Sequence, residues 1–462
     1  MDINSIHNVY LIGIGGIGMS AIARYFKSLN FNVAGYDKTP SPLTEELTDE
    51  DIDIHFDDDI QQIPKLYKTD INNTLIIYTP AIPNNHSEYN YFKKNNFQIY
   101  KRSKVLGLIS NHKKGVAVAG THGKTTVSTL IAHILKQSKF DCSAFLGGIS
   151  NNYNSNLLMS DKSNFVVLEA DEFDKSFLQL FPYFAVVTSV DADHLDIYGD
   201  EKRLRESFVQ FIKQIKENGK LLIKKDLNLN YELNKGVKQY TYSLNSKADF
   251  YANKICLSNG VYYVDIVTPD EIIKDVEIGM PGLFNVENSI AAFAVSYLLR
   301  VEQKDIRAAI ANSKGVKRRF NYIIKTNNLV YIDDYAHHPN ELKAAISSAR
   351  ELFPDKKITG IFQPHLYSRT RDFASEFAKS LELLDCLIML DIYPARELPI
   401  EGVSSKMILD KVSIENKFLC SKSELIDVLK KQETEVVLTL GAGDIDRLIQ
   451  PIKKYFETIV ND

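Results

Sequence analysis

The stretch from Gly115 to Leu135, GVAVAGTHGKTTVSTLIAHIL, constrains this chain more than any other twenty residues. An apolar run ends in a Gly-rich turn, and Lys-Thr-Thr opens a helix-like run. That order predicts strand, turn and helix, the repeating unit of parallel α/β sheets. Bare backbone N–H groups at a helix N-terminus attract anions, but that end alone contributes only about 0.3–2 kcal/mol. Lys124 adds a point charge and Thr125 a hydroxyl suited to Mg²⁺, which together fit a nucleotide triphosphate. The turn departs from the standard G-x-x-x-x-G-K-[ST] pattern. Val118 stands in the first Gly place, leaving the shorter run Gly120, Thr121, His122, Gly123, Lys124, Thr125, with Thr126 behind it.

Length and charge narrow the rest. A chain of 462 residues has room for about three domains. A net charge of −4 gives no basic footprint, so nucleic acid is not an expected partner. No apolar run approaches a membrane span, and the opening MDINSIHNVYLIGIGG reads directly into a strand rather than as a signal peptide. Cys142, Cys256, Cys386 and Cys420 are isolated and read as core fillers in a reducing compartment, so a cytoplasmic location is expected.

Three α/β segments separate by pattern, at 1–108, 109–318 and 319–462. In the first, HNVYLIGIGGIGMSAIARYFKSL reads strand, Gly turn, helix, followed by strands in FNVAGYD and NTLIIYTPAIP. The second carries the Gly115 strand, the strands NFVVLEAD and YFAVVTSV, and a helix over Glu201–Glu217. It continues into period-two alternation around an Asn-Gly, a hairpin signal. Helices follow near Val286–Leu299 and Gln303–Asn312. In the third, NLVYIDDY, KKITGIFQPH, CLIMLDIYP and EVVLTLGAG read as another open parallel sheet, with polar residues where strands finish.

Several constellations sit at those strand ends. Gly13, Gly15 and Gly18 form G-x-G-x-x-G with an extra Gly16, and Asp37 ends the next strand. By themselves they fit NAD, FAD, another nucleotide diphosphate or only tight helix–strand packing. Glu169, Asp171, Glu172 and Asp174, and Asp191, Asp193 and His194, form two acidic turns after the phosphate loop. They suit a metal near Thr125, or a solvated loop. The third segment offers Asp333, Asp334, Tyr335, His337 and His338, then His365, Arg369 and Arg371, then Arg396. Guanidinium groups there suit a carboxylate or phosphate, while paired His residues beside a Pro also serve as caps. Arg318 and Arg319 lie where the second and third segments meet.

Taken in order, GIGGIGMS, AGTHGKTT, LEADE, DADHLD, KRRF, DDYAHHP, FQPHLYSRTRD, YPARE and GAGDI resemble the Mur ligases across essentially the whole chain. The resemblance implies a Rossmann-like N-terminal domain for a UDP-sugar, a central P-loop ATPase-like domain for ATP, and a Rossmann-like C-terminal domain for the amino acid. It also implies a peptidoglycan-precursor reaction. ATP and Mg²⁺ would activate the lactoyl carboxylate of UDP-N-acetylmuramate as an acyl phosphate, which L-alanine would then attack. No nucleic acid or membrane partner is implied, and the chain would act as a monomer or homodimer.

The resemblance assigns roles by motif. Gly13, Gly15, Gly16, Gly18 and Asp37 would carry the UDP-sugar. Gly120 to Thr126 would cradle ATP, with Asn285 and Asn288 on the adenine side and Arg319 and Asp334 completing the nucleotide site. Thr125, Glu169 and His194 would bind the metal, and His338, Arg369 and Arg371 the alanine. Lys124, His194 and His338 are the implied catalytic groups. Phe284 stands where the family's adenine motif has His, and Leu366 where its amino-acid motif often has Arg. Phe208-Val209-Gln210 lacks the Lys that later-acting relatives carbamylate, which favours the alanine-adding branch. The alternatives are a ligase that recycles a preformed tripeptide and a nicotinamide-dependent oxidoreductase. The second leaves the Lys124 loop without a use.

Overall fold

The computed structural model describes residues 6–191, 198–395 and 397–460. The chain forms two compact units. The first is Met1–Cys256, Tyr263–Gly279 and Glu287–Lys314, and the second is Leu257–Tyr262, Met280–Val286 and Gly315–Asp462.

The first unit holds two sheets. Among the described residues one has five parallel strands in the order Asp53–His55, Asn32–Tyr36, Asn8–Ile12, Thr74–Tyr78, Gln98–Lys101. The central runs NVYLI and TLIIY are buried along almost their whole length because both faces of the sheet are covered. Val9 and Leu11 face Ile22 and Phe26 of the helix Ile17–Ser28, while Tyr10 and Ile12 face the opposite layer with Phe92. The second sheet has ten strands among the described residues. Lys114–Ala119 lies between Phe184–Val187 and Phe165–Glu169, parallel to both. The Asn-Gly hairpin forms as expected between Phe250–Ser258 and Val261–Val267, with φ of +51° at Asn259 and +74° at Gly260.

The second unit holds a sheet ordered Asn321–Lys325, Val330–Asp334, Val436–Leu440, Ile358–Phe362, Cys386–Met389, Lys417–Leu419. It is parallel except for its first strand, which runs antiparallel to Val330–Asp334. The sequence reading missed this strand. A connection from Lys325 to Val330, closed by Thr326 N–H donating to the Leu329 carbonyl at 2.9 Å, makes a hairpin and is too short for a crossover.

Two other expectations need correction. The helix expected to Glu217 ends at Lys213, and Asn218 takes a left-handed conformation beyond it. Cys142, Cys386 and Cys420 are buried as core fillers, but Cys256 is exposed.

Candidate active site

Lys114–Ala119 delivers the chain into Gly120, whose φ of +138° only glycine adopts readily. A methyl group there would lie 2.0 Å from Thr188 Oγ1. The turn is tied to the end of the neighbouring strand. His122 N–H donates to Ser189 Oγ at 2.7 Å, and Thr121 and Ser189 hydroxyls meet at 2.9 Å. Gly123, at φ +83°, starts the helix Lys124–Gln137, and no side chain caps that end. A methyl group on Gly123 would lie 2.9 Å from Asn288 Oδ1, so Asn288 stands directly beside the turn.

Lys124 does not point into solvent. Its Nζ donates to the Gly120 carbonyl at 2.7 Å and pairs with Glu172, at 2.9 Å to Oε1 and 2.8 Å to Oε2. Glu172 is fully buried. Burial opposes a charged Lys124, but the carboxylates of Glu172, Asp171 and Glu169 outweigh it and raise the ammonium's pKa. Thr125 and Thr126 are buried on the first helical turn. Glu169 ends the strand paired to Lys114–Ala119, opposite Val118. Its carboxylate lies against bare backbone, since a methyl on Gly147 would be 2.0–2.3 Å from it.

The first Gly turn lies in the same unit. Gly13 has φ +85°, and Gly15 N–H donates to Asp37 Oδ2 at 2.7 Å. Asp37 Oδ1 also accepts from Thr39 N–H at 3.2 Å. The Asp37 carboxylate thus braces the turn itself. A cavity of about 220 Å³ opens beside Gly16 and Gly18 and runs past Arg102 and Phe145 to Asp171 and Glu169. It therefore joins the first Gly turn to the strand end beside the phosphate loop.

In the second unit, His338 caps the helix Pro339–Leu352. Its Nδ1 accepts from Asn340 N–H at 3.4 Å, and its ring lies edge-on to Phe373 at 5.0 Å. Glu341 Oε2 accepts from the backbone N–H of both His337 and His338, at 3.0 and 3.3 Å. Burial pushes the His337 imidazole down to about 4, against the opposing pull of Glu341, so it is neutral at pH 7. Its ring sits between Tyr335 and His365, at 5.1 and 5.9 Å. Asp334 accepts from Phe320 and Ala336 N–H, both at 2.7 Å. Burial nonetheless pushes it up to about 6 despite the Arg319 charge and those two bonds. Arg318 and Arg319 both lie over Tyr335, each 5.1 Å from its centre. Arg369 is on the short helix Tyr367–Asp372, whereas Arg371 is exposed and donates to its neighbour Asp372 at 2.7 Å. Phe284 packs edge-on to Phe320 at 6.0 Å, and Asn285 Nδ2 donates to the Pro281 carbonyl at 2.6 Å.

The structure thus gathers Lys124, Thr125, Glu169 and Asn288 about the phosphate loop, and Gly16 and Gly18 about the cavity. His194, Asp193 and Arg396 lie outside the described residues. Sequence reasoning gave no role to Arg102 and left Glu172 as one more acid of a turn. Arg102 follows the strand Gln98–Lys101, which that reading did not find, and a parallel strand's carboxyl end is where ligands bind.

Comparison with known proteins gives a uniform result. Three family models match in succession: "Mur ligase family, catalytic domain" over residues 8–114, "Mur ligase middle domain" over 118–296, and "Mur ligase, glutamate ligase domain" over 318–443. The UDP-N-acetylmuramate–L-alanine ligase of Parabacteroides distasonis is 54% identical over 454 residues, 98% of each chain. That of Flavobacterium psychrophilum is 52% identical over 454 residues, 98% of this chain and 99% of its own. The crystal structure of the UDP-N-acetylmuramate–alanine ligase from Thermotoga maritima superposes with a TM-score of 0.83 at 26% identity. That match covers 98% of this chain and 99% of the other.

Proposed function

This chain belongs to the Mur ligase family, and we propose that it uses ATP to join L-alanine to the lactoyl carboxylate of UDP-N-acetylmuramate, a step of peptidoglycan precursor synthesis. One observation carries the reading. Lys124 and Glu169 stand at adjacent strand ends, and the cavity from the first Gly turn reaches Glu169. A sugar nucleotide seated at that turn presents its acid to the terminal phosphate of ATP. The acid's oxygen bonds to the γ-phosphorus, ADP departs, and an acyl phosphate results. The alanine amine then adds to the acyl carbon, the C–O bond to phosphate breaks, and inorganic phosphate leaves as the nitrogen gives up its proton.

Catalysis of this kind rests on positioning and charge. Lys124 exchanges the Gly120 carbonyl and Glu172 for phosphate oxygens. Gly120, Thr121, His122, Gly123 and Thr126 supply the cradle, with Asn285 and Asn288 on the adenine side. Gly13, Gly15, Gly16 and Gly18 approach the diphosphate, with Asp37 holding their turn. His338 and Arg369 serve the amino acid. Arg371 stays peripheral because it is exposed and already paired.

The oxygen donors of Thr125 and Glu169 fit Mg²⁺, with His194 as the resemblance implies. Among the described residues no group of three or more His, Cys, Asp or Glu converges as a metal cage. Mg²⁺ held by one or two protein groups and nucleotide phosphates needs none. Bound there, the ion draws charge from the transferring phosphate. We place the sugar-nucleotide, ATP and amino-acid domains at 1–108, 109–318 and 319–462, in the cytoplasm. Among the described residues no helix is long and apolar enough to cross a membrane.

The test is ADP formation by purified protein with Mg²⁺, ATP and UDP-N-acetylmuramate. Turnover is expected with L-alanine and not with a preformed tripeptide. ADP formed only with the tripeptide would favour the recycling ligase, and no ADP with either acceptor would overturn the reading.

A further inference from the structure

The third glycine of the first turn is not explained by its backbone. Gly18 lies inside the helix Ile17–Ser28 and shows no left-handed φ. What needs the space is a side chain. A methyl group at Gly18 would lie 2.5 Å from Arg102 Nη1 and 3.1 Å from its Cζ. Arg102 begins the helix Arg102–Asn111 at the end of the strand Gln98–Lys101, and reaches across to the uncapped start of Ile17–Ser28. Its polar partner is weak, for Asp171 Oδ2 stands 3.5 Å from Nη2. That carboxylate is the less buried of the two, with side-chain exposures of 34% for Asp171 and 18% for Arg102. The guanidinium also lines the 220 Å³ cavity together with Gly16 and Gly18. A helix start without an acidic residue in its first turn, a glycine-cleared approach and a loosely held guanidinium all face one space.

We propose that Arg102 grips the diphosphate of the sugar nucleotide above Gly16 and Gly18, and that residue 18 is glycine to let it. The planar fork binds two phosphate oxygens at once, which a lysine does not match. Asp171 serves as the resting partner that the diphosphate displaces. The inference rests on the ligase reading for its substrate, but its test separates the two.

The measurement is calorimetric binding of UDP, UDP-N-acetylglucosamine and UDP-N-acetylmuramate without ATP or alanine, alongside the KM of each substrate. Arg102→Ala is expected to weaken all three ligands by roughly ten- to a hundredfold, the range for a charge-assisted bond. The KM for UDP-N-acetylmuramate should rise while those for ATP and alanine hold. Arg102→Lys recovers only part of the loss. Gly18→Ala, which displaces the guanidinium without touching its charge, weakens the same three ligands. Melting curves for each variant show whether the fold is kept. If only UDP-N-acetylmuramate weakens, Arg102 holds the lactoyl carboxylate and the diphosphate assignment is overturned. If wild type ligates alanine and Arg102→Ala binds all three ligands unchanged, the proposal fails while the ligase reading stands. If wild type binds these nucleotides but forms no ADP, that reading fails instead.

Discussion

In one half of the first unit the strand Asn8–Ile12 runs through Gly13–Gly16 into the helix Ile17–Ser28. In the other half Lys114–Ala119 runs through Gly120–Gly123 into Lys124–Gln137. Each half also hides one carboxylate completely, Glu88 in the first and Glu172 in the second. The charges are arranged oppositely. The second turn carries its own cation, and Lys124 lies within 3 Å of both Glu172 oxygens. The first turn, Gly13–Gly16, has no cation of its own, and Arg102, which packs against Gly18 just behind it, belongs to a later element. The Glu88 carboxyl instead lies beside Tyr10 OH at 2.7 Å and the His55 imidazole at 3.2 Å, whose charged form burial disfavours. A cation built into a buried loop must be neutralised while it waits, whereas a borrowed one can rest half-partnered. The two halves therefore respond to substitution in different ways.

The largest expected effect is on Lys124. Lys124→Met should cut ATP-dependent turnover by about 10²–10³-fold or more, the scale of removing one preorganised charge donor. UDP-sugar binding should remain. The fold should also suffer, because the buried Glu172 loses its cationic partner, a change that costs about 3–5 kcal/mol in comparable cases. Adding Glu172→Gln should recover most of the melting temperature and none of the turnover, a non-additivity expected of contacting residues. If the double variant melts no higher than Lys124→Met, Glu172 is not what neutralises the lysine.

The glycines sharpen the contrast at smaller scale. Gly120→Ala would force φ +138° on alanine and set its methyl 2.0 Å from Thr188 Oγ1 and 2.8 Å from Ser189 N. A cost of about 1–3 kcal/mol follows from the backbone alone. Gly16→Ala meets nothing nearer than 3.6 Å and needs no positive φ, so its effect on stability should stay within about 0.5 kcal/mol. Thermal melts of the two variants decide this, and equal losses would erase the difference in tightness between the turns.

Much of this was legible in the chain itself, because strand–Gly–helix punctuation is local. The phosphate loop, the first Gly turn, the Asn-Gly hairpin and the order of the family motifs all follow from neighbours in sequence. What escaped depends on distance. Arg102 meets Gly18 across 84 positions of sequence, and Glu172 meets Lys124 across 48. An acid in LEADEF shows no sign in sequence of whether it turns outward to solvent or inward to a lysine. The strand Gln98–Lys101 is short and half-polar, so no periodicity announces it. The family motifs mark Asp334 and His338 as ligand-handling groups. Locally, each also serves the backbone: Asp334 takes two N–H groups and His338 caps a helix.

The gentlest test addresses the buried carboxylate of the first half. Burial pushes Glu88 up from the ordinary 4.5 to about 8, with the Tyr10 bond opposing and Asp58 and Asp59 adding to the shift. The local bonds agree with a protonated acid. His55 Nδ1 lies 3.0 Å from the Asp57 carbonyl, which makes it the donor and leaves Nε2 an acceptor, 2.7 Å from Tyr10 OH and 3.2 Å from Glu88 Oε1. Tyr10 OH also lies 2.7 Å from Glu88 Oε2; its single proton serves only one of the two acceptors, so a proton on the acid satisfies both. In the unfolded chain the same acid ionises near its ordinary value, so between about pH 5 and 8 the native state holds the extra proton. Stability from this group is therefore full at low pH, falls as pH rises through that window, and levels off above pH 8. Glu88→Gln keeps an acceptor and a donor but cannot ionise. Its melting temperature should match wild type near pH 4, within about 0.5 kcal/mol, and exceed it progressively from about pH 5 to 8, with no further gain above that. A difference that is flat with pH, or that favours wild type at high pH, would mean Glu88 is ionised at neutral pH. The two halves would then hide the same kind of charge, and the contrast with Glu172 would be gone.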